Sequence, residues 1–366
     1  MKALHRIPVA AGAGRYEVVV GPGVWDALPA IIAQSCPAHR YAVITDSGVA
    51  PTYAARLVHA LRAAAQQAEV FAFPAGEAFK TREQWASVTD AMLLAGHGRD
   101  TAVVVVGGGV PGDLGGFVAA TYMRGLPWVQ VPTTLLAMVD ASVGGKTAVD
   151  TASGKNLVGV FHPPRAVIAD PETLRTLPRE HLRSGLAEAV KHGAIADGEH
   201  FAWIGRFADR LLSADAETMT KLVARSVEIK AEVVSRDERE AGPRKALNFG
   251  HTIGHAVEAA SGFRLLHGEA VAIGMVAEAR LGERLGVSAP GTAERLRGLL
   301  ASLELPTSLP PEITPAEVIG WTRTDKKSRE GRAEYVLLAR IGIVDAAGGR
   351  WGHAVPDALV HQVLAG

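Results

Sequence analysis

In the first half of the chain, short runs of β-branched and aromatic residues at 16–20, 41–45, 70–73, 101–106 and 128–131 alternate with longer stretches. In stretches such as 51–65 and 81–95 the apolar positions recur at helical spacing. This alternation predicts an α/β domain with a largely parallel sheet. Beyond about residue 178 the period changes: segments 181–194, 218–239 and 269–285, rich in Ala, Leu, Glu and Arg, carry helical patterns and predict a mainly helical second half. The boundary falls at 170–178, where Pro171 and Pro178 bracket a short polar turn, so the domains are read as 1–177 and 178–366. One segment breaks the helical pattern: 335–344 reads as a strand after a polar loop at 322–333. There is no internal repeat or low-complexity tract.

Composition narrows the class. A chain of 366 residues that is 48% hydrophobic and 21% charged is long enough for two cores, which argues against disorder. Thirty-eight basic residues balance thirty-eight acidic ones. No global field therefore gathers nucleic acid or an anionic membrane, and an anionic ligand must be held by a local site. The single cysteine, Cys36, cannot form an intramolecular disulfide, and the apolar helix-like stretch 31–36 offers it no activating partner. The N-terminus lacks a secretory pattern, and the apolar run 102–106 is too short to span a bilayer. These features lead us to expect a cytoplasmic protein with neither a membrane nor a nucleic-acid partner.

Three groups of residues carry candidate chemistry. The run VVVVGGGVPGDLGG at 103–116 is a buried-strand pattern entering a glycine-rich turn and then a helix. There, backbone amides and a helix N-terminus can approach a pyrophosphate. Gly107, Gly109 and Gly112 satisfy G-x-G-x-x-G, but no acidic residue follows at the usual distance and the motif lies on about the fourth strand, unlike a standard dinucleotide unit. A plain strand-to-helix turn fits as well. Asp46, at the end of an earlier strand, is either a ribose ligand or an ordinary helix cap. Residues 131–146 and 154–156 set Lys146, Lys155, Asp140 and Asn156 among small neighbours, the make-up of a phosphate site or of a solvated glycine-rich turn.

In the second half, Glu188 and Lys191 are three apart and His251 and His255 four apart, so each pair shares a helix face. With His267 they make three imidazoles and a carboxylate, a set that suits zinc better than magnesium. A catalytic ion would take three of them and keep one position open. Thr252 stands where a zinc peptidase of the His-x-x-x-His type needs its glutamate base, which disfavours peptidase activity. Taken singly, each histidine fits a hydrogen-bonded core or surface role, and Glu188 with Lys191 fits a solvated ion pair.

The ordered set GGGVPGD (107–113), PTTLLAMVDASVGGK (132–146), GKN (154–156), LAEAVKHG (186–193), NFGHTIGHAVE (248–258), HGEAVAIGM (267–275) and DKK (325–327) closely resembles the 3-dehydroquinate synthases. These belong to the sugar phosphate cyclases, whose fold is shared with the glycerol dehydrogenase group. The likeness runs over nearly the whole chain, and its departures, Met138 and Ala141 where glutamine and serine are expected, fall on residues with no assigned chemistry.

The resemblance implies an N-terminal Rossmann-like NAD-binding domain, a C-terminal helical domain that binds metal and substrate, and an active site in the cleft between them. It assigns one divalent ion, zinc or cobalt, to Glu188, His251 and His267, and moves His255 from the metal to the substrate. It brings NAD to Asp46, Glu77, Lys80, Gly108, Gly109, Val110, Pro111, Gly112, Asp113, Thr133, Thr134, Asp140, Lys146, Lys155, Thr173, Leu174, Arg175 and Thr176. Substrate would meet Lys146, Lys155, Asn156, Lys191, Lys230, Arg244, Asn248, His255 and one or both of Lys326 and Lys327, and Arg124 would reach the phosphate in a partner subunit of a homodimer. The implied substrate is a small phosphorylated sugar acid, 3-deoxy-D-arabino-heptulosonate 7-phosphate. In the implied reaction, transient oxidation at C5 by NAD acidifies the C6 proton, phosphate leaves, the same NADH restores the alcohol, and ring opening with aldol closure gives 3-dehydroquinate, a step towards chorismate and the aromatic amino acids. Two alternatives stay open: another cyclase, such as an aminodehydroquinate synthase, and a metal-dependent NAD polyol dehydrogenase, which would release NADH.

Overall fold

The computed structural model describes residues 4–11, 14–238, 240–324 and 333–366, and the chain divides into two compact units, Met1–Leu177 and Pro178–Gly366. In the first unit the strands are β1 (His5–Ala11), β2 (Gly14–Val20), β3 (Arg40–Asp46), β4 (Gln67–Phe73), β5 (Thr101–Gly107), β6 (Trp128–Pro132), β7 (Lys146–Thr151), β8 (Gly154–Phe161) and β9 (Ala166–Ala169). Its helices are α1 (Leu28–Ser35), α2 (Ala55–Ala63), α3 (Arg82–Leu94) and α4 (Gly109–Thr121). Seven strands form one sheet in the order β1-β2-β9-β6-β5-β3-β4, antiparallel only at β1 with β2 and parallel elsewhere.

The central strand explains its own sequence. Every residue of β5 is buried, with Val104 and Val106 in the core under α1 and α2 and Val103 and Val105 in the core under α3 and α4. A strand covered on both faces has no polar side to alternate with, hence the unbroken valines. Burial also holds the Cys36 thiol up at about 11, so it is inert.

The second unit contains α5 (Arg179–Ala196), α6 (Gly198–Arg206), α7 (Ala208–Leu212), α8 (Ala216–Arg236), α9 (His251–Ala260), α10 (His267–Arg284), α11 (Thr292–Ser302), α12 (Pro315–Thr324) and α13 (Asp357–Ala365). α9 and α10 pack on each other, and α10 packs on α5. Among the described residues, no helix is long and apolar enough to cross a membrane.

The structure departs from the sequence reading at several places. An unforeseen N-terminal hairpin strand, β1, makes the glycine-rich turn follow the fifth strand. Residues 146–161 are no plain turn: β7 and β8 form a separate antiparallel hairpin. The expected strand at 335–344 is broken into β10 (Glu334–Tyr335), β11 (Leu338–Arg340) and β12 (Ile343–Val344), with β10 pairing β13 (His353–Ala354) and β11 pairing β12. Gly342, at φ +88, turns the chain there. Of the segment read as a polar loop at 322–333, residues 322–324 belong to α12, and residues 325–332 lie outside the described residues.

Candidate functional site

In the second unit α5 is buried along most of its length, and its spacing puts Glu188 and Lys191 one turn apart on one face. Lys191 Nζ pairs with Glu188 Oε2, and with side chains only 2% and 0% exposed the two form no solvated surface pair. Burying such a pair costs several kcal/mol of desolvation per ion, about as much as the attraction returns, so fold stability gives little reason to keep it.

Glu188's other oxygen faces two imidazoles. Oε1 lies 3.5 Å from His251 Nε2 and 3.3 Å from His267 Nε2. A tetrahedral zinc with bonds of about 2.1 Å requires donor atoms roughly 3.4 Å apart. One carboxylate oxygen and two imidazole nitrogens, all within 4.8 Å of one another, therefore fit a divalent ion. His255 lies beside them, its ring centroid 5.2 Å from that of His251 and 5.9 Å from that of His267, but it is not in that set. The outer nitrogens face acceptors: His251 Nδ1 lies 3.1 Å from the Phe249 carbonyl and His267 Nδ1 3.4 Å from Glu258 Oε2. Burial first, then Lys191, pushes His251 well below the usual imidazole range, which keeps it neutral as a ligand must be. Burial acts the same way on His267, but the hydrogen bonds to Glu188 and Glu258 outweigh it and raise this group to about 9. The two carboxylates thus favour positive charge where an ion would sit.

The three helices that carry Glu188, His251 and His267 meet through glycine. A Cβ on Gly268 would stand 2.1 Å from the Ser184 carbonyl oxygen of α5, and one on Gly274 2.0 Å from the Gly250 carbonyl oxygen just before α9. Both glycines lie in the HGEAVAIGM motif, and sequence reasoning gave them no role. It also missed Glu278, a fully buried carboxylate on α10 that accepts the Gly250 amide at 2.7 Å and the Ile253 amide at 3.3 Å, tying down the helix start that carries His251.

Of the substrate candidates, Lys230 is buried on α8, and Arg244 is 2% exposed in the 3₁₀ turn Pro243–Asn248, which packs on α8 and α5. Arg244 Nη1 donates to the Glu238 carbonyl at 2.5 Å, and Asn248 Nδ2 donates to Glu240 Oε1 at 2.6 Å. Asp237, another residue sequence reasoning passed over, accepts the amides of Ala241, Gly242 and Arg244 and so shapes this turn. Burial alone would raise its carboxyl, but those three bonds hold it below the usual range. Lys326 and Lys327 lie outside the described residues.

In the first unit β5 ends at Gly107, whose φ of +146 favours glycine, and α4 begins at Gly109 with no side chain capping it from Gly108. Its first turn holds Val110, Pro111 and Gly112, an arrangement able to present amides to an anion. Thr133 bonds back to Gly107, and Thr134 caps the turn that contains Asp140. Beside α4, Lys80 is 3% exposed, with Nζ 2.7 Å from Glu77, 3.3 Å from Asp113 and 3.5 Å from Asp150. Lys155 lies 3.8 Å from Glu77, and Asp150 accepts the amide of Asn156, which stands at φ +56. Burial opposes the charge on Lys80, but its three carboxylates overcome this and raise its pKa; burial holds Asp113 at about 6 despite the ammonium. Asp150, not singled out by sequence reasoning, thus joins the β7–β8 hairpin to Lys80, which Glu77 and Asp113 also face.

The remaining candidates are more scattered. Asp46 accepts the amides of Gly48 and Val49, a capping role. Thr173, Leu174, Arg175 and Thr176 lie in the 3₁₀ turn Pro171–Thr176, which Tyr53 holds by donating to the Thr173 carbonyl at 3.2 Å and pairing with Thr176 Oγ1 at 2.7 Å. Lys146 is exposed at the start of β7, and Arg124 is exposed at φ +70.

Comparison with known proteins points one way. Residues 70–184 match the family described as 3-dehydroquinate synthase N-terminal, and residues 185–328 match 3-dehydroquinate synthase C-terminal. A 3-dehydroquinate synthase of Symbiobacterium thermophilum is 49% identical over 339 residues, 91% of this chain and 94% of the relative. A 2-deoxy-scyllo-inosose synthase solved with carbaglucose-6-phosphate, NAD+ and Co2+ superposes with a TM-score of 0.92 at 26% identity, over 99% of this chain and 100% of the other. The 2-epi-5-epi-valiolone synthase of Streptomyces hygroscopicus subsp. jinggangensis 5008, solved with NAD+ and Zn2+, superposes at 0.87 with 30% identity, over 97% of each chain.

Proposed function

The chain belongs to the 3-dehydroquinate synthase family, and from that premise we infer how its residues divide the work of turning 3-deoxy-D-arabino-heptulosonate 7-phosphate into 3-dehydroquinate and phosphate. It is an enzyme of aromatic biosynthesis, a carbon–oxygen lyase. The observation that carries the reading is the spacing of 3.3 and 3.5 Å from Glu188 to His267 and His251.

In this reading Glu188, His251 and His267 hold one divalent ion, zinc or cobalt, and NAD lies along the 108–113 turn with Lys80, Glu77, Asp113 and Lys155 beside it. When bound, NAD supplies a hydride acceptor that gives its hydride back within the turnover, and the ion supplies a Lewis acid for the substrate's hydroxyls. Arg244 grips the substrate carboxylate; its anchor on Glu238 supports this by fixing the guanidinium before the substrate arrives. Lys146, Lys155, Asn156, Lys191, Lys230, Asn248 and His255 place the phosphate and hydroxyls. As phosphate departs the lysines balance its charge, and the departing group is itself a suitable acceptor for the C6 proton.

The finer points are proposals of the same kind. The enzyme works in the cytoplasm, in keeping with its single buried cysteine, and as a homodimer in which the exposed Arg124 reaches a phosphate in the other subunit. The test supplies the heptulosonate phosphate with catalytic NAD and follows phosphate, dehydroquinate and NADH absorbance over many turnovers. Phosphate and dehydroquinate should rise together while NADH stays below the enzyme concentration. NADH accumulating in step with substrate loss, without phosphate, would indicate a polyol dehydrogenase and refute the reading.

A further inference from the structure

One buried acid next to the proposed ion site has no part in the scheme so far. Glu258 is on α9, seven residues after His251, and a separation of seven returns a side chain to nearly the same helix face. α9 therefore carries His251 at its start and, two turns later, a carboxylate on the same stripe. The Glu258 side chain is 10% exposed, and its Oε2 lies 3.4 Å from Nδ1 of His267, the first residue of α10, while Nε2 of the same ring faces Glu188.

We infer that Glu258 is a positioning residue for the metal site: its carboxylate takes the Nδ1 proton of His267 in a hydrogen bond, fixing the tautomer and turning Nε2 to the ion. This rests on the reading of Glu188, His251 and His267 as ligands. The contact differs from that of His251, whose Nδ1 faces the neutral Phe249 carbonyl. A carboxylate also raises the donor strength of Nε2 and adds negative charge near the cation, so the two imidazoles are unequal ligands, with His267 the stronger. It fits the architecture as well. One helix supplies one ligand directly and orients the other, so the relative placement of both rings depends on a single packed pair, α9 with α10.

The test strips the full-length protein of metal and titrates it with Co2+ against a competing chelator, recording the visible ligand-field spectrum of native protein and of Glu258→Gln. Glutamine keeps the shape and an acceptor oxygen but loses the charge. Co2+ affinity should fall about 10- to 100-fold, with a shifted spectrum and an unchanged stoichiometry of one. Glu258→Asp, which keeps the charge but shortens the reach, should fall in between. Native-like affinity and spectrum in Glu258→Gln, with the native protein binding one Co2+, overturns the role of Glu258 and leaves the ligand assignment standing. Failure of the native protein to bind one Co2+ overturns both. Should the variants not fold, the native zinc-loaded protein labelled with 15N-histidine decides. A slowly exchanging, strongly downfield Nδ1 proton on His267 supports the inference, and a solvent-exchanging one overturns it.

Discussion

Substituting Gly274 by alanine tests whether the ion site is set by the closeness of two helices. Its Cβ would stand 2.0 Å from the Gly250 carbonyl oxygen and 2.7 Å from the Gly254 amide nitrogen, where ordinary contact begins at 3.4 Å. Both obstacles are backbone, so no side chain can swing aside, and α9 must move away from α10 by about 1 Å. Overpacking of this kind costs about 3 kcal/mol, the upper part of the usual range, because nothing soft absorbs it. Alanine returns about 1 kcal/mol in helix propensity. The net loss of about 2 kcal/mol should lower the melting temperature of the second unit by roughly 4–8 °C.

The effect on function should be larger than the effect on stability. His251 starts α9 and His267 starts α10, so a shift of about 1 Å between the helices disturbs the donor spacing of the proposed ion site. Misplacement on that scale costs about 100-fold in rate. Gly298→Ala is the control: it is also a helix-interior glycine in the same unit, but nothing lies within 4 Å of the added methyl. It should stabilise by up to about 1 kcal/mol and leave activity unchanged. The assays are thermal unfolding, Co2+ affinity and phosphate release for both variants. If Gly274→Ala behaves like Gly298→Ala in all three, the close helix contact does not set the site.

Three further outcomes are expected. Lys80→Met, which leaves Glu77, Asp113 and Asp150 facing one another, should cost about 3 kcal/mol at pH 8 in urea unfolding. The loss should shrink at pH 5: Asp113 is held at about 6, above its usual 3.8, so the folded state binds the extra proton and its burden on stability grows only as pH rises through that window. An equal loss at both pH values would place the destabilisation outside the carboxylates. Arg244→Leu should lower kcat/KM by about 2–5 kcal/mol of binding, on the order of 30-fold or more, and unchanged kinetics would move the carboxylate contact elsewhere. Chelation should abolish turnover and zinc or cobalt restore it; full activity in metal-free protein would end the ligand assignment.

What the sequence revealed and what it hid follow from how each signal arises. β5 was legible because a strand covered on both faces must be apolar throughout, α8 because amphipathic periodicity is local, and α5 and α10, buried over long runs, because of their length and their content of strong helix formers. The β7–β8 hairpin was not, since Leu157, Val158, Val160 and Phe161 are exposed and break the link between apolar residues and burial on which the reading depends. Asp150, Asp237, Glu258 and Glu278 look like surface acids in the sequence; only tertiary contact shows each one holding a cation, a turn, a ligand or a helix start. The spacing rule pairs His251 with His255, yet the structure groups His251 with His267, sixteen residues on, around Glu188, because helix periodicity says nothing about where the next helix begins.

That limit bears most on Glu188. In the sequence it is one member of an i, i+3 pair with Lys191, and in the structure its two oxygens serve different neighbours: Oε2 takes the ammonium of Lys191, and Oε1 faces His251 and His267. A buried pair of this kind adds little stability, but it places a lysine beside the proposed ion site while Oε1 still faces the two imidazoles. On the proposed reading, the group that fixes the ion also fixes the cation that steadies departing phosphate. Shortening Glu188 to aspartate would then disturb both at once, while Lys191→Met would keep all three proposed ligands and cost rate, together with the stability lost when a buried carboxylate loses its ammonium.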